Sequence, residues 1–320
     1  MSRLRDQQKT TWLTGFLAVL YYEFLWNLRK KKIIGLFILV FVIVTLSLAL
    51  PPLLGYLNGV TLAPNPDAVS GFFNTFSGIF IFLIAVATTM NTISGEFETG
   101  SITPLLTKPV SKNTVFLGKI VASFLTLIAI YAFLTVYVIV GSVVIEGSQN
   151  NLLLAPLGLF GLTLATMVWA SMVILLGTLS KSSLVAALGS FGVFIGVTIV
   201  GTILSSVYGQ TSVLFYAPGG GANGSTGSCE TFPRSGTNFA TGTDNLGYLL
   251  IQLVLNPSAV LNFCGVRFGP GGREGEIFTA SSDTIATVAL RALVVAIVYL
   301  AALLVVSWYA FRRSQIVESA

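Results

Sequence analysis

The sequence predicts an all-α, polytopic membrane protein: six transmembrane helices preceded by an N-terminal interfacial amphipathic helix. Three observations predict it. Hydrophobic residues make up 54% of the chain and charged residues only 9%, against about 25% charged in soluble domains, too few to build a water-facing surface. The apolar residues come in runs of about eighteen or more, the length that crosses about 30 Å of hydrocarbon at a rise of about 1.5 Å per residue. The basic residues cluster beside those runs, so the net charge of +5 points to a membrane topology and not to nucleic acid.

Residues 1–32 are expected to form a cytoplasmic N-terminus and the interfacial helix. Leu13, Phe16, Leu17, Leu20 and Phe24 recur at helical spacing, and Trp12, Tyr21, Tyr22 and Trp26 suit headgroup depth. A general anchor with no mechanistic part is the competing reading. The first apolar run follows Arg29, Lys30, Lys31 and Lys32 with no small-residue cleavage site after it, so it reads as a retained helix.

The six predicted spans are 33–50, 71–93, 120–145, 152–179, 184–207 and 292–310, and none contains Lys, Arg, Asp or Glu. The first five make a unit over 33–207; the last, with a cytoplasmic tail, makes 284–320. Arg291 borders the last run, where its guanidinium can snorkel to the headgroups as an anchor. Asn74, Thr75, Ser77, Thr88, Thr89 and Asn91 near the ends of the second span suit hydrogen bonds between helices better than a substrate route. The fifth contains Gly189, Gly192 and Gly196, of which Gly192 and Gly196 form a G-x-x-x-G ridge that fits either a dimer seam or packing within one chain.

With the N-terminus inside, thirteen of the seventeen basic residues fall on the cytoplasmic side. The positive-inside rule therefore places both termini in the cytoplasm of a multi-pass cell-membrane protein. Segment 208–283 is then extracytoplasmic. It opens with loop chemistry at Gly219, Gly220, Gly221, Asn223, Gly224, Ser225 and Gly227. Its apolar stretch 246–255 is too short to span and ends at Asn256-Pro257, as a re-entrant or surface helix would. Asn223-Gly224-Ser225 is a glycosylation sequon. Cys229 and Cys264 lie on the oxidising side with no competing thiol, so a disulfide is expected, two free thiols being the alternative.

The chain has no histidine, which removes a Ser-His-Asp triad and the commonest zinc and haem ligand sets. No catalytic residue and no metal site is expected. It has no G-x-x-x-x-G-K-[ST] phosphate loop, Gly118-Lys119 lacking both the upstream glycine and the hydroxyl residue. Any energy from ATP must enter through another chain.

The 94–119 loop between spans two and three is the richest in motif. Gly95 and Gly100 bracket Glu96 and Glu98, and apolar residues including Leu105 and Leu106 lead to Pro109-Val110-Ser111 and then Gly118-Lys119. Here the chain resembles the permease subunits of type-2 ABC exporters, especially the group associated with multi-copper-enzyme maturation and gliding motility. The shared pattern is Gly-Glu-x-Glu-x-Gly-(Ser/Thr), apolar residues, a Pro-Val-Ser-like step and Gly-Lys. Phe97 departs from it, standing where a basic residue is frequent. The resemblance implies an ATPase-coupling loop built on Gly95, Glu96, Glu98, Gly100, Leu105, Leu106 and Pro109, with Glu96 and Glu98 facing basic groups of the partner. It also implies two ABC ATPase chains holding ATP and Mg, a second permease chain as homo- or heterodimer, and export of a substrate whose identity it leaves open. A non-transporting membrane scaffold or assembly factor is the alternative function.

Overall fold

The structure, a computed structural model, describes residues 12–29, 31–59, 64–100, 111–207, 213–229, 237–268 and 275–313. Among them, six helical stretches are long and apolar enough to cross a membrane. Helix α1 (Trp12–Arg29) leads into α2 (Lys31–Leu57). The second predicted span, 71–93, is not one helix but two, α3 (Ala68–Thr75) and α4 (Ile79–Thr89), and α5 (Ser94–Glu98) opens the predicted 94–119 loop. The break falls at Gly78, whose φ of 59° lies in the left-handed region that favours glycine. An apolar pattern continues across it, so composition alone shows one span.

Helix α6 (Lys112–Glu146) is followed by α7 (Ala155–Ser180) and α8 (Ser183–Val207), and the chain closes with α9 (Leu246–Leu255) and α10 (Ile285–Arg313). The α7 span is the axis of the bundle: 67% of its most apolar window is buried, against 11% for that of α2. Small residues permit this, because α4, α6, α8, α9 and α10 all pack on it. Phe82 of α4 meets Trp169 of α7 edge-on at 5.6 Å and stacks on Phe194 of α8 at 4.6 Å.

Hydroxyls link the spans. Tyr131 and Thr166 lie 2.7 Å apart, Thr92 and Ser123 3.0 Å, and Thr178 and Ser307 3.1 Å. Thr88 and Thr89 instead donate to carbonyls of their own helix. Arg291 lies within α10, where its guanidinium donates to Asp283 at 3.0 Å and sits 3.7 Å over the Phe215 ring.

The class is helical, but the segment between α8 and α10 carries a four-stranded antiparallel sheet that the sequence reading does not contain. Its order is β2-β1-β3-β4, with β1 at Asn223–Ser225, β2 at Asn238–Ala240, β3 at Val260–Phe268 and β4 at Gly275–Thr284. Two of the strands are only three residues long, and glycine and asparagine hide them among loop signals. The structure joins Cys229 to Cys264 of β3, with 5.5 Å between their Cα atoms. Asn223 is exposed at the start of β1, whereas Ser225 is buried. Helix α9 covers the same ten residues as the short apolar run and lies against α7. A Cβ on Gly161 would stand 2.7 Å from the Gly247 backbone, so only glycine lets the two helices meet this closely.

Candidate functional site

The residues of the coupling motif are organised from the root of the hairpin outward. Lys119, in the second turn of α6, is 3% exposed. Its ammonium donates to Glu96 of α5 at 2.9 Å and to Glu23 of α1. One cation thus ties three helices together. A side chain on Gly118 would strike Val19 of α1, its Cβ falling 2.8 Å from Val19 Cγ1. Glycine before lysine therefore lets α1 lie directly on α6 and brings Glu23 within reach.

Helix α1 is consequently two-faced. Phe16, Val19, Leu20, Glu23, Phe24 and Asn27 turn inward, while Leu13, Leu17, Tyr21, Tyr22 and Trp26 stay exposed. The predicted stripe is split by this: Phe16, Leu20 and Phe24 pack, but Leu13 and Leu17 do not. An apolar exposed face suits the bilayer interface.

Glu98 takes a second tie. Its carboxylate accepts from the Ser183 backbone N–H at 2.6 Å and from the Ser183 hydroxyl at 2.5 Å. It satisfies an orphan N–H at the start of α8, where negative charge is also favoured by the helix dipole. Phe97, between the two glutamates, faces Phe311 of α10 at 6.3 Å; Phe311 in turn lies 5.2 Å from Phe116 of α6. Lys181 sits 5.5 Å over the Phe97 ring. An aromatic side chain fits this apolar pocket, which accounts for the departure from the family pattern. Gly100 has a φ of 67°, a turn that a side chain would strain.

Within the chain Glu96 pairs with Lys119 and Glu98 accepts from Ser183, and Glu98 stays exposed. Sequence reasoning misses the partners Glu23, Lys119, Ser183 and Phe311. The available signal is Glu23, the lone acid of an otherwise apolar helix, together with a lysine at the edge of a span. Leu105, Leu106 and Pro109 lie outside the described residues. In α8, Gly189 packs near Leu176 of α7, whereas a Cβ on Gly192 or Gly196 would meet nothing within 4 Å. The ridge therefore faces away from the other described residues.

A buried carboxyl lies in the 208–283 segment. After α8 the chain turns back so that Gly219 and Asp244 reach Trp169, near the middle of α7. Asp244 is 2% exposed and accepts from the Trp169 indole N–H at 2.7 Å. Its own N–H donates to Gly219 O at 3.0 Å. Next to it, Asn245 donates to Asn74 Oδ1 at 3.0 Å and to Ala240 O at 2.8 Å. A Cβ on Gly242 would collide with Gly219 O, so the two strands of this tip meet backbone to backbone. Burial pushes the Asp244 carboxyl up to about 7. The predicted spans are free of carboxylates, but the fold carries this one in from a loop.

The family model of the ABC-2 family transporter proteins matches residues 17–316, and the chain belongs to that family. It is the membrane-spanning permease subunit of an ABC transporter, a type of subunit that works with an ABC ATPase and is not itself catalytic. No curated protein matches the chain.

Proposed function

We propose that this permease couples ATP hydrolysis, by two copies of a separate ATPase that hold ATP and Mg, to export of a substrate across the cell membrane. The 94–119 hairpin is the coupling element. The observation that carries this reading is the root of the hairpin, where Glu96, Phe97 and Glu98 each engage a different element: α1 and α6 through Lys119, α10 through Phe311, and α8 through Ser183. A displacement applied at the tip is passed to four helices at once through these contacts, which is what coupling a soluble motor to a membrane bundle requires.

The positive-inside bias supports placing this hairpin and both termini in the cytoplasm. The exposed Gly192 and Gly196 ridge fits a seam with a second permease chain, homo- or heterodimeric. The hairpin pattern supports membership of the multi-copper-enzyme-maturation and gliding-motility group.

Leu105→Glu with Leu106→Glu tests the assignment. Charging the apolar part of the hairpin should abolish co-purification of the ATPase while the permease reaches the membrane at its normal level. Undiminished co-purification would show that the hairpin does not dock the motor.

A further inference from the structure

We propose that Asp244 is a proton-binding site inside the helix bundle, and that its proton latches the tip formed by Gly219 and residues 242–245 against α7. The proposal goes beyond the coupling role of the hairpin and does not depend on it. It rests first on enclosure. Asp244 is fully buried, its one side-chain hydrogen bond among the described residues comes from a neutral donor, Trp169, and the glycines of the tip close the backbone around it. An ionised carboxylate in such a place is an unpaired buried charge, which folded proteins avoid by holding the proton instead.

Among the described residues, the elements packed around the tip supply no countercharge to Asp244. Helices α3, α7 and α8 and strand β2 contain no charged residue. Helix α9 brings only Tyr248, whose ring packs on Phe239. From α10 comes Arg291, engaged by Asp283 and Phe215. Tyr131 of α6 has its hydroxyl bonded to Thr166. Among the described residues no ion pair includes Asp244. The proton is therefore the ligand that the chemistry of the site selects. Its elevated affinity follows from the same enclosure.

Loss of the proton leaves the charge two outcomes: stay buried at high cost, or reach water by withdrawing the tip from α7. Withdrawal breaks the Trp169 and Asn74 hydrogen bonds but leaves the sheet and its disulfide intact. The latch thus opens at the tip alone.

The test is hydrogen exchange of peptides covering 240–255, in the full-length protein in lipid nanodiscs, from pH 5.5 to 8.5. Asp244→Asn keeps the acceptor for Trp169 and removes the titration, so it also corrects for the intrinsic pH dependence of exchange. The wild-type rate divided by the rate of the Asp244→Asn variant should climb with pH by up to about tenfold per unit, then level off once the closed latch has itself lost the proton. A ratio flat across the whole range would overturn the latch. Should the variant fail to accumulate, dicyclohexylcarbodiimide, which modifies protonated carboxyls in apolar surroundings, is applied to the wild type. Mass-detected labelling at Asp244 that fades across the same pH range supports the site; no labelling at pH 5.5 overturns it.

Discussion

At the root of the hairpin Lys119 is buried between Glu23 and Glu96, whereas at the tip beside α7 Asp244, among the described residues, is buried against one indole N–H. The first arrangement compensates its charges from three helices and is fixed for as long as those helices stay together. The second leaves one carboxyl to be neutralised by a proton, so its state follows the solution. Burial of charge can therefore build a rigid junction or a responsive one, and the difference lies in whether the fold supplies the counter-ion.

The largest effect expected from this contrast is at Lys119. Lys119→Met leaves two largely buried carboxylates with no cation, which should cost about 3–5 kcal/mol and sharply reduce the amount of folded protein. Neutralising the whole cluster with Glu23→Gln, Lys119→Met and Glu96→Gln should recover most of that loss, because an apolar or neutral replacement of a complete network is often nearly free. Thermal unfolding of detergent-purified variants measures both. Equal losses in the single and triple variants would mean that packing, not charge, holds the root.

Much of this architecture is legible in the sequence, and the reasons differ by element. Spans such as α7 are continuous apolar runs, so composition finds them. The hairpin can be located because glycines and carboxylates at fixed spacing stand out in an apolar chain. What the two glutamates touch is not legible: Glu23 lies 96 residues from Lys119 in sequence, and no local pattern pairs them. The break at Gly78 is hidden because apolar residues flank it on both sides. Asp244 gives no signal because it lies in a segment of loop composition, and only the return of that segment to Trp169 buries it.

The disulfide lies within the sheet segment, joining Cys229 to Cys264 of β3. Cys229→Ser with Cys264→Ser opens a loop of 35 residues in sequence separation, for which the chain-entropy account gives about 3–4 kcal/mol. The loss should appear as faster proteolysis of the sheet, with the thermal midpoint of the helices unchanged. A matching fall in the helical midpoint would show that sheet and bundle unfold as one unit.

A smaller effect is expected at Asp244, and its sign distinguishes the two buried charges. An unfolded aspartate ionises near about 3.9, whereas the folded carboxyl holds its proton to about 7. Stability is then highest at the acid end of that window, falls as pH rises through it and levels off above about 7. The wild-type thermal midpoint should drop by on the order of 5 °C between about pH 5 and 8, and Asp244→Asn should remove that slope. The Lys119 variants should keep it. A slope that survives in Asp244→Asn would assign the titration to another group.

The central claim, that the root of the hairpin transmits work from the ATPase to the helices, is tested most directly with the neutral triple variant reconstituted with its partner ATPase. The hairpin tip is unaltered in that variant, so association should persist, but the tie between α1, α5 and α6 is gone. We predict co-purification at the wild-type level with permease-stimulated ATP hydrolysis reduced about tenfold, within the usual range of coupling energies. Full stimulation in the triple variant would contradict the claim and leave the cluster as a purely structural junction.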